Sequence, residues 1–161
     1  RKNFESLIQS FILELGDTED AYLVIKTNLK PDMTKEDLFN QFSYLKNSIT
    51  IPSDKRQNII FVLSYLEKEK MNYLYNISDL FCLTSFGEGF SLPLSEAVSS
   101  KTPVLCSPVG GHIDYIDPEN RYFINGSWDT VIASPPYNPD SNWYVPTINS
   151  IRKSLRLAYQ D

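Results

Sequence analysis

The chain has 161 residues, of which 42% are hydrophobic and 22% are charged, and its formal net charge is -5 at pH 7. This length and composition fit one globular domain with its own core and exclude a second domain of ordinary size. No stripe of Lys or Arg could neutralise a series of phosphates, so binding to nucleic acid is disfavoured, whereas a site for one or two phosphates is not.

Cys82 and Cys106 each lie in a short apolar run, where cysteine usually behaves as a small core residue. Neither has neighbours at metal-ligand spacing, so we expect two buried free thiols. No apolar stretch approaches the roughly 20 residues of a transmembrane helix, and the first residues do not resemble a signal peptide. We therefore expect a cytoplasmic domain. Its abrupt start at Arg1, just before a helix, is typical of a segment cut from a longer protein.

The first third of the chain predicts a helix, a strand and a second helix. Apolar residues recur at i, i+3, i+4 and i+7 from Phe4 to Leu15, which predicts an amphipathic helix that stops at Gly16. The apolar run Tyr22–Ile25 predicts a strand buried on both faces. Thr34–Leu45 opens with Thr-x-x-Asp, which predicts another helix.

The middle of the chain continues the alternation. A buried strand is predicted at Ile59–Leu63, and Ser64-x-x-Glu67 predicts a capping box for a helix from Glu67 to about Ile77. Two further strands are predicted at Leu80–Thr84 and Pro103–Cys106. The helix predicted between them, Ser91–Ser100, has Pro93 near its start.

Beyond Tyr115 the pattern is weaker. Tyr122–Ile124 predicts a short strand, three prolines make Ser134–Pro139 irregular, and Thr147–Tyr159 predicts a closing helix. Strict alternation of buried strands with helices predicts an α/β, Rossmann-like fold with a mostly parallel, doubly wound sheet, formed by residues 1–161 as a single domain.

The loop after the third strand is the first candidate for a binding site. In open parallel sheets, ligands bind outside the carboxyl ends of the strands. Here the loop contains Gly87, Glu88 and Gly89, and a helix starts at its far end. Backbone N–H groups at a helix N-terminus bind phosphate oxygens, and glycines let the backbone approach a ligand closely. The loop therefore predicts an anion site.

Two carboxylates, Glu88 and Glu96, flank this predicted anion site. They would repel a phosphate unless both face hydroxyl groups. A ligand with phosphate in the middle and hydroxyl groups at both ends would place the phosphate on the amides and hydroxyls beside each carboxylate. A nucleotide sugar has that arrangement.

The segment from Glu88 to Glu96 resembles the E-x7-E signature of family-4 retaining glycosyltransferases. Three other stretches resemble that family in the same order along the chain, so the resemblance covers nearly all of it. These are the "RKN" entry into the first helix at Arg1–Glu5, the helix ending in a small residue and Asp at Met71–Asp79, and the "EA…GTPV…GG" stretch from Glu96 to Gly111. The resemblance implies the C-terminal, donor-binding half of a GT-B glycosyltransferase.

The resemblance also implies roles for individual residues. Glu88 would face the hydroxyls of the transferred sugar, Glu96 would bind the ribose hydroxyls, and Lys2 would neutralise the leaving diphosphate. The backbone around Leu66 would meet the base. The implied donor-binding positions, besides Glu96, are Gly89, Phe90, Ser91, Leu92, Leu66, Tyr65, Gly110 and Gly111.

The sequence departs from the family pattern at three places. Ser91 stands where a second glycine is usual, and His112-Ile113-Asp114 stands where x-Pro-Glu is common. The family's companion arginine would lie upstream of Arg1. The resemblance therefore leaves the sugar of the donor open.

The function implied is transfer of a hexosyl-type sugar from a UDP or GDP donor to an acceptor with retention of configuration, in polysaccharide or glycoconjugate biosynthesis, without a metal or other cofactor. The first strand and the acceptor-binding N-terminal domain would lie upstream, so we expect the isolated chain to be inactive and any peripheral membrane contact to come through that half.

Two alternative functions stay open, a GT-B nucleotide-sugar epimerase and a non-catalytic nucleotide-sugar-binding module. A dinucleotide-binding oxidoreductase is disfavoured because no G-x-G-x-x-G follows a first strand.

We expect structural roles for the single histidine and for five aromatic residues. His112 is expected to be structural or to face the acceptor, because a lone histidine cannot build a zinc site. Trp143 is expected to hold the irregular segment against the domain. Helical spacing predicts semi-buried packing residues at Tyr65, Tyr73, Tyr75 and Tyr115.

Overall fold

A computed structural model describes residues 2–28, 58–130 and 141–161, together with scattered positions between 33 and 55. A short 3-10 helix, Gly111–Asp114, follows the fourth strand. The remaining elements in chain order are α1 (Phe4–Leu15), β1 (Leu23–Lys26), β2 (Ile59–Val62), α2 (Lys68–Asn76), β3 (Phe81–Leu83), α3 (Leu92–Ser99), β4 (Val104–Cys106), β5 (Gly126–Thr130), β6 (Asn142–Pro146) and α4 (Ile148–Gln160).

The strands of the described chain form three pairs. β1 pairs with β2 and β3 pairs with β4, both in parallel, whereas β5 and β6 form an antiparallel pair. The predicted strand at Tyr122–Ile124 is reduced to one parallel bridge between Phe123 and Cys106. The parallel pairs and their intervening helices confirm the predicted α/β fold.

Side chains of β4 show that helices cover both faces of the β3–β4 pair. Leu105 is fully buried in a cluster that contains the apolar face of α1 and residues of α4. Val104 and Cys106 point the other way, into a cluster with Tyr75 of α2 and Leu94 of α3. Because successive side chains of a strand alternate between faces, this burial is that of a doubly wound sheet.

Two local predictions were wrong. Glu67 is itself the N-cap of α2 and makes no side-chain capping bond, so the predicted Ser64–Glu67 capping box, which needs its acid inside the first turn, is not formed. Val24 and Ile60 are 40% and 47% exposed, so β1 and β2 are not buried on both faces.

Thr34 and Asp37 make the reciprocal bonds of the predicted helix start. The Asp37 amide donates to the Thr34 hydroxyl at 3.1 Å, and the Asp37 carboxylate accepts from the Thr34 amide at 2.7 Å. Much of the rest of this predicted helix, to Leu45, lies outside the described residues, as does the irregular segment Ser134–Pro139.

Both cysteines are free thiols, as expected, with Cys106 fully buried and Cys82 half-buried. Burial raises the pKa of each thiol to about 12. Among the described helices, none combines the length and the apolar character needed to cross a bilayer.

Candidate functional site

The start of α1 is fixed against the loop that follows β3. Thr84, at the carboxyl end of β3, is buried and donates its hydroxyl hydrogen to the carbonyl of Asn3 at 3.0 Å. This bond places Lys2 beside the loop that contains Glu88. The two ends of the predicted site, which lie more than 80 residues apart in sequence, are thus brought together.

Lys2 and Glu88 form an ion pair, with the ammonium 2.6 Å from the Glu88 Oε1 atom. The Glu88 side chain is only 7% exposed and the Lys2 side chain is 44% exposed. A buried carboxylate needs such a partner, since desolvating an unpaired charge is costly. The family resemblance implies separate roles for these two residues, and in the structure each also neutralises the other.

The loop then presents a row of unused backbone donors. Within the described part of the chain, the amides of Gly89, Phe90, Ser91 and Leu92 donate no hydrogen bond. Ser91 adopts a left-handed conformation (φ 57°, ψ 80°) immediately before α3 begins. Pro93, which has no N–H group, occupies the first turn, as predicted. Consecutive free amides at a helix N-terminus are suited to bind an anion.

Tyr115 holds this loop in place. Its hydroxyl lies 2.5 Å from the carbonyl oxygen of Phe90 and 3.2 Å from that of Ser91, and its ring packs on the Phe90 ring with centroids 5.0 Å apart. Burial, followed by the nearby Cys106 and Glu88, raises the pKa of the Tyr115 hydroxyl. Helical spacing predicts a packing residue at Tyr115 but not this contact, because the contact depends on the tertiary position of the loop.

Gly110 and Gly111 pack the loop after β4 against the loop after β3. A Cβ atom on Gly110, whose φ is +124°, would lie 2.7 Å from the Glu88 carbonyl oxygen, and one on Gly111 would lie 3.1 Å from that of Gly89. By contrast, Cβ atoms on Gly87 and Gly89 would meet nothing within 4 Å. The first two glycines therefore permit close packing, and the other two border open space.

Buried polar atoms without a partner in the described chain gather around the same loops. His112 illustrates the pattern: its Nε2 donates to the Ser107 carbonyl at 2.8 Å, whereas its buried Nδ1 has no partner in the described chain. Each such group costs about 1–3 kcal/mol, so their concentration indicates a functional site. The atoms are Asn3 Nδ2, Ser85 Oγ, Ser91 Oγ, Ser107 Oγ and His112 Nδ1.

Glu96 lies on α3, with its exposed carboxylate directed by a neighbouring helix. The hydroxyl of Tyr75, a buried residue of α2, donates to Glu96 Oε2 at 3.0 Å. Burial and then this hydrogen bond raise the pKa of Tyr75 well above its ordinary range. Tyr75 is the packing residue that the sequence predicted, but its link to Glu96 was missed.

The predicted base-binding residues lie at the carboxyl end of β2. Leu66 is half-buried there, and Tyr65 is 74% exposed. Tyr73 of α2 is 67% exposed as well. The expectation that Tyr65 and Tyr73 are semi-buried packing residues was therefore wrong, because helical spacing does not reveal which face of an element is covered. The contact of Leu66 with a base stays a prediction.

A cavity of about 330 Å³ opens beside Glu88. Its walls combine the two loops with the β5–β6 hairpin, which sequence analysis did not predict because the segment beyond Tyr115 has few apolar runs and many prolines. The cavity is lined by Phe86, Gly87, Glu88, Val109, Gly110, Trp128, Asn142 and Trp143. Trp143 thus faces the candidate site. In the described ranges, no three His, Cys, Asp or Glu side chains converge in a way that could hold a metal ion.

A family model described as "Glycosyl transferases group 1" matches residues 1–134. The chain belongs to the group 1 glycosyltransferases. It is 32% identical over 109 residues to the O-antigen chain mannosyltransferase B of Escherichia coli, a match that covers 68% of this chain and 26% of that protein. It is 28% identical over 110 residues to the MMP alpha-(1->4)-mannosyltransferase of Mycolicibacterium hassiacum, covering 68% of this chain and 24% of that protein.

The fold of this group 1 glycosyltransferase chain is similar to a crystal structure of the C-terminal domain of a group 1 family protein from Francisella tularensis. The TM-score is 0.65 at 20% identity, over 99% of this chain and 70% of that one. This likeness confirms the GT-B C-terminal domain fold. The chain spans about a quarter of the length of the curated relatives it matches.

Proposed function

We propose that this group 1 glycosyltransferase domain binds a nucleoside-diphosphate sugar along the loop between β3 and α3. The observation that carries the proposal is the row of free amides from Gly89 to Leu92, with the Lys2–Glu88 pair at one end and Glu96 at the other. The diphosphate lies on the amides, the transferred sugar lies beside Glu88, and the ribose lies beside Glu96.

The charges of the site suit departure of a nucleoside diphosphate. Breaking the bond to the sugar builds negative charge on the phosphate oxygens, and preorganised amides and a helix N-terminus stabilise such charge. An ammonium has three donors, so Lys2 can keep Glu88 and also bind a phosphate oxygen. These groups do what a divalent metal does in other transferases, and we propose that turnover persists in a chelator.

Glu96 supplies the nucleoside end of the site. Its exposed carboxylate accepts one hydrogen bond from Tyr75 and keeps capacity for two vicinal hydroxyls. The base then extends towards Leu66, at the carboxyl end of β2. This direction places Glu88 next to the reacting carbon and Glu96 away from it.

The reaction proposed is transfer of a hexosyl-type sugar from UDP or GDP to an acceptor with retention of configuration. The names of the two curated relatives favour mannose as that sugar. Because the chain spans about a quarter of those relatives, we propose that an acceptor-binding domain precedes it, and that it binds donor but transfers nothing by itself.

The test uses the full-length enzyme with Glu88→Gln and Glu96→Gln. Glu88→Gln should lower kcat far more than it weakens binding of the bare nucleoside diphosphate, because a contact with the reacting sugar matters chiefly in the transition state. Glu96→Gln removes a charge-assisted hydrogen bond of about 1.5–3 kcal/mol. It should therefore weaken binding of the donor and of the bare diphosphate alike, by roughly tenfold or more.

Steady-state kinetics together with calorimetric titration distinguish the outcomes. Loss of diphosphate binding in Glu88→Gln with kcat retained would reverse the orientation of the ligand. Release of free nucleoside diphosphate only when acceptor is added identifies a transferase and excludes the epimerase and the non-catalytic binding module.

A further inference from the structure

We infer that the β5–β6 hairpin forms one wall of the subsite for the transferred sugar, and that Trp143 is a residue that determines which sugar is accepted. The subsite is the cavity of about 330 Å³ between this hairpin and the loops after β3 and β4. The inference rests on the proposed function and adds to it the residues that contact the sugar.

The cavity lies where the proposed direction of the bound donor places the transferred sugar. A diphosphate on the amides of Gly89 to Leu92 with its ribose at Glu96 must carry its sugar past Gly89, on the side of Glu88. Glu88 and Gly87 are also cavity-lining residues, and neither Gly87 nor Gly89 has an atom within 4 Å of the space that a Cβ would occupy. Gly87 and Gly89 therefore place no side chain of their own between the amides and the cavity.

The lining has the chemistry that a hexopyranose needs. A sugar ring has apolar C–H faces and a polar rim of hydroxyls, so it is bound by an aromatic surface with a few hydrogen-bonding groups beside it. Phe86 and Trp143, whose rings pack together, supply the aromatic surface, while Glu88 and Asn142 supply a carboxylate and an amide.

The hairpin is fastened to the loop that it faces. The Tyr144 amide donates to the Phe86 carbonyl at 3.1 Å, and the rings of Phe86 and Trp143 pack with centroids 6.1 Å apart. The Tyr144 hydroxyl in turn accepts from the Gly126 amide at 2.6 Å. The aromatic wall is therefore held in place relative to Glu88, as a specificity element must be.

Of the two tryptophans that line the cavity, Trp143 is the better placed to select a sugar. Trp128 lies opposite Tyr144 in the strand register and Trp143 opposite Asp129, so the two indoles leave opposite faces of the hairpin although both line the cavity. Trp128 is 64% exposed, whereas Trp143 is half-buried against Phe86. The fixed indole of Trp143 is the one that can select a sugar by shape.

The test compares Trp143→Ala and Trp143→Phe with wild type in the full-length enzyme. Calorimetry first identifies which of UDP and GDP binds wild type, and then gives the affinity of each variant for that diphosphate and for its mannose and glucose conjugates. Tyr22→Ala, which removes a 59% exposed aromatic ring at the other end of the domain, is the matched control. Thermal melts show that each variant is folded.

We expect Trp143→Ala to weaken binding of the preferred sugar conjugate by roughly tenfold, to leave the bare diphosphate within about twofold of wild type, and to narrow the difference between mannose and glucose. Trp143→Phe should be intermediate, because it keeps an aromatic face. If Trp143→Ala lowers the affinity for the conjugate and for the bare diphosphate equally, or changes only the KM for acceptor, the sugar subsite is refuted while the proposed function stands. If wild type binds neither UDP nor GDP, the proposed function and this inference both fail.

Discussion

The hydroxyl of Tyr115 lies 2.5 Å from the carbonyl oxygen of Phe90. This contact joins the segment after the 3-10 helix to the middle of the loop between β3 and α3. The neighbouring Ser91 carbonyl, at 3.2 Å, is within reach of the same hydroxyl. Tyr115 therefore holds both peptide carbonyls on one side of the loop, which leaves its amides available to a ligand.

Tyr115→Phe should lower nucleoside diphosphate affinity several-fold, because a loop without this bond must be ordered when the ligand binds. The free energy of unfolding should fall by about 1 kcal/mol, the usual value of one hydrogen bond. Tyr122→Phe, which removes a hydroxyl bonded to Asp161 at 2.7 Å, is the control and should leave affinity unchanged. Equal affinities in Tyr115→Phe and wild type would contradict the positioning role.

Two glycine substitutions should have opposite consequences. Gly89→Ala places a methyl group in open space, so the free energy of unfolding should stay within about 0.5 kcal/mol of wild type while diphosphate binding falls strongly. Gly110→Ala forces a Cβ atom to 2.7 Å from a backbone oxygen at φ +124°, so it should destabilise the fold by more than about 1 kcal/mol. Urea denaturation and calorimetry measure both quantities. Normal binding by a folded Gly89→Ala protein would place the ligand elsewhere.

The bond between Tyr75 and Glu96 should matter to the ligand as well as to the fold. Tyr75→Phe keeps the buried ring but leaves the Glu96 carboxylate free to rotate, so we expect diphosphate affinity to fall by roughly two- to fivefold. Tyr73→Phe alters an exposed ring on the same helix and is the matched control. An effect of Tyr73→Phe as large as that of Tyr75→Phe would show that the loss comes from the helix rather than from Glu96.

The two thiols should be unreactive and should weaken the fold at high pH. With the thiol pKa raised from 9.0 to about 12, about one thiol in ten thousand is ionised at pH 8, so iodoacetamide should label the folded protein far more slowly than the denatured chain. Between pH 9 and 12 the unfolded chain loses these protons while the folded chain keeps them. The free energy of unfolding should therefore fall as pH rises through that window.

Cys106→Ala provides the check on this pH dependence. It should flatten the decline between pH 9 and 12, whatever its effect on stability at pH 7. A decline as steep as that of wild type would assign the pH dependence to other groups.

Local signals in the sequence predicted much of the fold. The helix from Phe4 to Leu15 has the predicted bounds, because its apolar period is set by residues within the helix itself. The hairpin was missed, since four of the five residues of β5 are exposed and β5 carries little apolar periodicity. Prolines beyond it also favoured an irregular segment.

The candidate site was predicted in part for similar reasons. The loop from Glu88 to Glu96 carries a recognisable pattern. The φ of 57° at Ser91 accounts for the glycine that the family pattern has at this position, because glycine adopts that conformation more readily than serine. The partners Tyr75, Tyr115 and Trp143 could not be predicted, because each reaches the site through tertiary contacts with no fixed spacing in the sequence.

The central claim is that a nucleoside diphosphate binds to the amides between Glu88 and α3. The most direct measurement is a titration of the isotopically labelled protein with UDP and with GDP, followed by amide NMR. We expect the largest saturable shifts at Gly89, Phe90, Ser91 and Leu92, with the response weakened by Glu96→Gln. Saturable shifts that leave these four amides unmoved, or no saturation with either diphosphate, would contradict it.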